Sequence, residues 1–395
     1  MSQMLRVAPL ADFSCLCERC EDTCCKAWSM QLDAPTLDKY RTQAPELLAA
    51  VEQGSGGSDA EWIMRKDPES GYCVKFDGGR CGIHTERGED WLGDACFFYP
   101  RATRALGGQH VMSAALSCPE IARLALFSSG DEVFLQPAHA QRLPHSVKDY
   151  APQGMESAQA LALHQLFLEQ AVSPAHRAAH TLLRLISVSR SLATLESAQW
   201  PGAAPVFLML ADGRIPPAQP NINDAFNLLH ALMGLVVATR KPPSARLKQT
   251  IDDMEQALAV RLDWANVGIA ADSASAAALE RLQARWNAGG AALYDDVLKK
   301  YVRMQLSLGL FPFAGLGADV AERMTLIAIR FATIKLALMC KYGMHEEAVP
   351  PEMVVRIVQS VSRCLDHLGD PAFSLQIYKE AGWVQEARLR ALIEL

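Results

Sequence analysis

The chain has 395 residues, of which 50% are hydrophobic and 21% charged, with a formal net charge of −6. That balance excludes a disordered or strongly basic chain, leaves room for one large or two ordinary domains around a sizeable core, and gives no global field for nucleic acid. The opening MSQMLRVAPLADFSCLC lacks the basic flank and apolar run of a signal peptide, and no stretch reaches the roughly 18–20 apolar residues of a membrane span, so a cytoplasmic chain without a membrane span is expected.

Residues 1–128 are rich in turn signals, GSGGSD at 54–59, DGG at 77–79 and RGED at 87–90, and poor in long periodic stretches. They read as a loop-rich unit with short helices and little core of its own, which would need a staple. Nine of the eleven cysteines fall here, at Cys15, Cys17, Cys20, Cys24, Cys25, Cys73, Cys81, Cys96 and Cys118. Residues 129–395 read as an all-helical domain, and the fold class is mainly α. Apolar spacing predicts helices at 156–172, 174–197, 222–240, 244–263, 272–286, 290–308, 318–341, 350–368 and 371–394. Pro174 and Pro351 suit first-turn positions and Asp319 a helix N-terminus. ERMTLIAIRFATIKLALMC, apolar nearly all round, reads as the central buried helix. The Pro- and Gly-rich stretch 198–221 reads as a long connection. Cys340 and Cys364, on apolar helix faces, read as small buried hydrophobes.

In a reducing compartment clustered thiols point to metal or catalysis rather than to disulfides. A single metal ion or cluster takes four protein ligands at most, so nine thiols exceed one site. The adjacent pair Cys24 and Cys25 fits a polynuclear iron–sulfur cluster better than one zinc ion. Zinc is the alternative, because Cys17-x2-Cys20 supplies half a pattern and CGIH places His84 near Cys81.

The pieces FSC, CEDTCCKAW, CGIH, CFFYPR and SCPEIARLALF resemble the flagellin lysine-N-methylase family, within the wider group of CxxCxxCC cysteine-cluster proteins. The resemblance covers residues 10–128 and continues weakly at KYVRMQLSLGLFPF (300–313). It implies methyl transfer from S-adenosylmethionine to ε-amino groups of surface lysines of flagellin, by a protein holding a [4Fe-4S] cluster. Carried over residue by residue, the family's cysteines correspond to Cys15, Cys20, Cys24, Cys25, Cys73, Cys81, Cys96 and Cys118. At Cys17 the family more often has glycine, so Cys17 is not expected to be an essential ligand. Which four of the eight hold the cluster stays open; the others bind a second metal or line the pocket.

Such a transfer needs a neutral lysine, an in-line approach and a site for the methyl donor, and a surface lysine must first lose its proton. Tyr99, Asp22, Asp94 and Glu120 are candidates for that role, none distinguished by sequence. Trp28 and Arg101 are candidates to hold the donor, through an aromatic face for a cation and a partner for a carboxylate, and Tyr99 joins them as a cofactor-binding candidate. The G-x-G of FAGLGADVAER follows a helical rather than a strand pattern, so a helix–helix turn is expected, and a donor site unlike the Rossmann type, between the two domains. The spacing Cys20-x3-Cys24 followed at once by Cys25 departs from C-x3-C-x2-C, which disfavours a conventional radical enzyme. A metal-stabilised protein-binding module and an iron–sulfur redox protein are the rival readings.

Overall fold

The structure is a computed structural model that describes residues 2–26, 30–54, 62–127, 133–140, 142–211, 223–239, 243–367 and 371–395. Strand β1 (Ser2–Val7) leads through a loop that carries the first five cysteines to α1 (Ala34–Gln43), the hairpin β2 (Val51–Gln53) and β3 (Trp62–Met64), and the short hairpin β4 (Phe76–Asp77) and β5 (Arg80–Cys81). Two short helices, α2 (Gly82–Arg87) and α3 (Asp94–Phe98), complete this knot. It has a small core of its own, built on Met30, Leu32, Leu37, Tyr40, Leu47, Met64 and Ile83.

The chain then returns to β6 (Arg101–Leu106), β7 (Gln109–Ala114), α4 (Pro119–Phe127) and β8 (Leu135–Ala140). The four long strands form one sheet in the order β6-β7-β1-β8, with β1 parallel to β7 (Leu5 opposite Val111) and antiparallel to β8 (Met4 opposite Ala138). This sheet was not expected. Its clearest signal is Gly107-Gly108, a two-residue loop between β6 and β7 with φ of +57° and +83°, the geometry that two-residue hairpins demand. A Cβ on Gly107 would also lie 2.5 Å from Ser157 Oγ, so the hairpin tip packs directly on the helical body. The expected boundary at residue 128 falls inside this unit, because β8 lies beyond it and pairs with the first strand of the chain.

The remaining chain is helical: α5 (Ser157–Ala171), α6 (Ala178–Leu192), α7 (Trp200–Ala211), α8 (Asn223–Ala238) and α9 (Ala245–Ala257), then the two-stranded ribbon β9 (Arg261–Asp263) and β10 (Gly268–Ala270). After it come α10 (Ser273–Arg285), a π-helical turn at Trp286–Gly290, α11 (Ala291–Leu293), α12 (Asp295–Leu308), α13 (Val320–Gly343), α14 (Pro351–Asp366), α15 (Pro371–Glu380) and α16 (Glu386–Glu394). As its apolar circumference predicts, α13 is the central buried helix, packed against α6, α9, α14 and α16. Pro351 opens α14 at its first position, whereas Pro174 lies in the turns before α6.

Three helix assignments need correction. The stretch 198–221 contains α7, despite Pro205 in its interior; Trp200 anchors its start by donating from Nε1 to Leu192 O at 2.9 Å, and residues 212–222 lie outside the described residues. The helix expected to reach 263 ends at Ala257, where Ala259 takes a left-handed φ of +50° and the chain enters the ribbon. The helix expected over 371–394 breaks in two at Gly382, whose φ of +76° no helix interior accommodates.

Asp319 caps α13, its carboxylate accepting the Glu322 N–H at 2.8 Å. Asp319→Ala is expected to cost about 1 kcal/mol of stability, read as a lower urea midpoint with an unchanged m-value.

Candidate metal centre and adjoining cavity

All nine N-terminal cysteines line one cavity of about 540 Å³, and all eleven cysteines of the chain are free thiols. Separate elements deliver them. The loop after β1 brings Cys15 to Cys25, the segment before β4 brings Cys73, β5 brings Cys81, α3 brings Cys96, and the turn into α4 brings Cys118. The loop is fastened to the hairpin by backbone. Cys25 O accepts the Cys73 N–H at 2.8 Å and Lys66 Nζ at 2.9 Å, and Lys66 forms a β-bridge with Cys73.

The same loop is gripped from the helical body. Arg363 of α14 donates to Asp22 O (3.0 Å), Thr23 O (3.1 Å) and Lys26 O (2.8 Å), and pairs with the Asp22 carboxylate at 2.5 Å. Gln359, one turn earlier, donates to Asp22 Oδ2 and to Ser117 O, both at 2.9 Å, tying the first cysteine loop to the residue before Cys118. Neither residue carries a signal that sequence reasoning reads, since their partners lie more than two hundred positions away.

Burial pushes up the thiols of Cys20, Cys73 and Cys81, and those of Cys96 and Cys118 to about 12. Cys24 and Cys25 share a proton unevenly. Their mutual hydrogen bond lowers Cys25, helped by Thr23 and the Lys66 ammonium, and raises Cys24. A cationic metal centre reverses the cost of burying thiolates, so this donor set suits one, with protons released on loading.

Cys17 sits apart in conformation. Its φ is +49°, in the left-handed region that costs an L-residue about 1–2 kcal/mol, and its side chain is exposed. That is a physical reason for glycine at this place in the resembling family. Cys17→Gly is expected to keep full metal content with a thermal midpoint no lower than the parent's, measured by metal analysis and thermal unfolding.

The proposed proton acceptors are otherwise engaged. Asp22 is the anchor of Arg363, and Glu120 pairs with Arg123. Asp94 accepts from Arg142 (2.7 Å) and His145 Nδ1 (3.0 Å), while Asp33 caps α1 at Thr36 N (2.9 Å) and accepts the Asp94 N–H (2.7 Å). Asp33, Asp94 and His145 lie close enough to hold a cation, but these bonds already occupy their oxygens, and the cluster is a clamp between α1, α3 and the segment at 142–145. Burial pushes the Tyr99 phenol well above its usual range, so it stays protonated; its Oη lies 3.1 Å from Ser117 Oγ.

A second cavity of about 410 Å³ adjoins the first at Tyr99 and Pro100 and lies between the sheet, α12, α13 and the end of α14. Arg101, Arg104, Tyr150, Phe311, Arg323 and His367 are among its walls. Two cis X-Pro bonds, Tyr99-Pro100 and Phe311-Pro312, border it. The turn between α12 and α13 also contributes, through Gly309 and Gly315, so the G-x-G is a helix–helix turn at a cavity wall rather than a phosphate-binding loop after a strand. Arg101 stacks on Phe13 at 5.0 Å, and no carboxylate pairs with it among the described residues. Arg104 and Arg323 spend donors on Leu308 O and Pro312 O. Trp28 lies outside the described residues.

His367, which no sequence pattern singles out, donates or accepts at Ser117 Oγ (2.8 Å), so Tyr99, Ser117 and His367 form a hydrogen-bonded chain from the thiol cavity to the second one. Partial burial holds its imidazole below the usual 6.5, with Arg363 and Arg330 acting the same way and Asp366 opposing.

A family model described as the FliB lysine N-methylase C-terminal domain matches residues 209–382. The chain is 30% identical over 115 residues to the flagellar biosynthetic protein FliU of Salmonella muenchen, a match covering 28% of this chain and 68% of that protein. The lysine-N-methylases of Salmonella typhimurium and Salmonella choleraesuis match at the same identity and length, over 29% of their own length. No solved structure matches.

Proposed function

The chain belongs to the FliB lysine N-methylase family, and we propose that it is a protein-lysine N-methyltransferase that methylates flagellin from S-adenosylmethionine, in the cytoplasm, with a [4Fe-4S] cluster held by the N-terminal thiols. The observation that carries the reading is the pairing of a nine-thiol cavity with a second, arginine-walled cavity that shares Tyr99 and Pro100 with it.

For the cluster, the support is the donor set: nine thiols on one cavity, with Cys24 and Cys25 adjacent, suit a polynuclear centre better than one zinc ion. For the methyl donor, about 410 Å³ is the size of an ordinary ligand pocket. Arg101, lacking a carboxylate of its own, would hold the donor's carboxylate, and Tyr99, Tyr150 and Phe311 offer ring faces to a cation. S-adenosylmethionine would supply a methyl group on a sulfonium: the amine lone pair bonds to the methyl carbon as the carbon–sulfur bond breaks, and the neutral thioether leaves.

The protein's own task is to present that amine unprotonated. With Asp22, Asp94 and Glu120 paired to arginines and the phenol of Tyr99 held neutral, His367 is the group at the cavity that takes a proton at neutral pH. Ser117 orients its Nε2. The flagellin assignment draws on the Salmonella muenchen relative being a flagellar biosynthetic protein. No helix among the described residues is long and apolar enough to cross a membrane.

The test is anaerobic incubation of cluster-loaded protein with isotope-labelled S-adenosylmethionine and flagellin, read by mass spectrometry of lysine peptides. Label on flagellin lysines is expected; its absence with the cluster intact overturns the substrate or donor assignment. Brown protein with broad absorbance near 400 nm is expected, and colourless protein with stoichiometric zinc overturns the cluster.

A further inference from the structure

We infer that Arg104 and Arg323 give the second cavity an oxyanion subsite of its own, apart from the place where Arg101 would hold the donor's carboxylate. Its ligand is a carboxylate or a phosphate: an acidic side chain beside the target lysine, or free inorganic phosphate. The division from Arg101 rests on the reading of this cavity as the donor pocket, and the subsite goes beyond that reading by adding a second ligand.

Charge balance points to a missing anion. The guanidiniums of Arg101, Arg104, Arg323 and Arg330 line the cavity against a single carboxylate, that of Asp366. Asp366 is already paired with Arg330 at 3.0 Å, and Arg330 also donates to Leu365 O at 2.8 Å. The remaining polar walls are the phenols of Tyr99 and Tyr150, the Gln305 amide and the His367 imidazole. Arg101, Arg104 and Arg323 are therefore left without a carboxylate partner among the described residues. S-adenosylmethionine does not correct this excess, because its one carboxylate arrives with an ammonium and a sulfonium. A cleft lined by one sign of charge focuses its field and concentrates the opposite ion.

Arg104 and Arg323 are held in place for such a ligand. Arg104 reaches in from β6 and donates from Nη1 to Leu308 O, while Arg323 reaches in from α13 and donates from Nη1 to Pro312 O at 2.7 Å. They grip the two ends of one short segment, 308–312, at the cavity wall. Arg323 adds a longer bond to Ala318 O at 3.4 Å. These bonds fix the forks but use few of the five N–H donors that each guanidinium carries. The Nε of Arg323 is buried with no hydrogen-bond partner among the described residues, and a buried donor left open calls for an acceptor from outside the chain. Asp319 acts on Arg323 through space, but its carboxylate caps α13 and forms no ion pair with it. The planar fork of a guanidinium matches the oxygens of a carboxylate or phosphate.

The experiment is calorimetric titration of the anaerobically purified full chain with inorganic phosphate. Saturable binding is expected, weakened at least about tenfold by Arg104→Gln and by Arg323→Gln and held within about twofold by Arg101→Gln, since a hydrogen bond to a charged group is worth about a factor of ten or more. No saturable binding by the wild type, or binding indifferent to Arg104 and Arg323, overturns the inference. Should a glutamine variant unfold, Arg104→Lys and Arg323→Lys decide: they keep the charge but lose the fork, so weakened binding is expected and unweakened binding in both overturns the subsite. The two sources separate in turnover on flagellin whose acidic residues beside the methylated lysines are changed to amides. A rise in KM with the wild type that is absent from Arg104→Gln supports the subsite and assigns its oxyanion to the substrate. An unchanged KM with phosphate binding intact supports it and assigns the oxyanion to free phosphate. Titration with S-adenosylmethionine keeps the two readings apart, because a wild type that binds phosphate but not the donor ends the donor reading and leaves the subsite standing.

Discussion

Arg363→Ala is expected to destabilise the protein by about 3–5 kcal/mol, the cost of removing one partner of a buried, hydrogen-bonded ion pair, and to strip it of metal. The guanidinium is only 7% exposed and satisfies the carboxylate of Asp22 together with three loop carbonyls. Without it, the Asp22 carboxylate loses its ion-pair partner and keeps the Gln359 amide, and the carbonyls of Asp22, Thr23 and Lys26 lose their donor in a part-buried place. The loop that carries Cys20, Cys24 and Cys25 then keeps its fastenings to the knot, Cys25 O to Cys73 and Lys66 and Glu18 to Arg80, and its ties to the body through Gln359 and Arg123, but loses its most buried anchor. Lysine is no substitute, because one ammonium cannot span the fork of contacts. Denaturation midpoints of wild type, Arg363→Ala and Arg363→Lys, each with the metal content measured on the same sample, check both halves of the expectation. An alanine variant that keeps its metal and its midpoint removes α14 from the account of the site.

The second large effect is on rate. His367→Gln keeps a hydrogen-bonding group for Ser117 but cannot take a proton, and general-base contributions run to about 10²–10⁴-fold, so kcat is expected to fall at least about 10²-fold at neutral pH. The pH dependence separates lost chemistry from lost packing. Since His367 is held below 6.5, it is a neutral base throughout neutral pH and becomes protonated only as the pH falls beneath that value. The wild-type acid limb therefore lies below about 6.5. Toward the lysine pKa of about 10.4 the substrate sheds its proton unaided, so the deficit of the variant should shrink steadily as the pH rises. A deficit independent of pH assigns His367 to positioning rather than to proton transfer.

Much of this was legible in the sequence, and for physical reasons. Thiols are rare enough that nine in the first 118 residues announce a shared purpose, and the structure does gather them on one cavity. Helices with a strong apolar stripe were placed to within a few residues, and α13, apolar nearly all round, as the centre of the core. What failed was decided by distant partners. RATRAL and LQPAHA lack the β-branched runs of a strand and become strands because β1 and β7 lie beside them. The helix at 200–211 keeps its form despite Pro205 because Trp200 and Leu208 are buried in the body. Tyr99 and Arg101 were placed at the cavity by motif, but His367, Gln359 and Arg363 act on residues some 240 to 340 positions away, and no local pattern encodes that.

The order of strands in the sheet has a consequence for how the molecule comes apart. The thiol-bearing knot leaves the scaffold after Val7 and re-enters it at Arg101, while β1 and β6 stay locked in a sheet closed by β7 and β8. The knot is thus an insertion with its two ends pinned, and its small core is separate from the large one. Stripping the metal is expected to unfold the insertion and leave the scaffold standing, so that amide exchange in metal-free protein divides into two cooperative units, fast over residues 13–98 and slow over α13 and the sheet. Loading of the proposed centre would then be a local folding event on a largely finished platform.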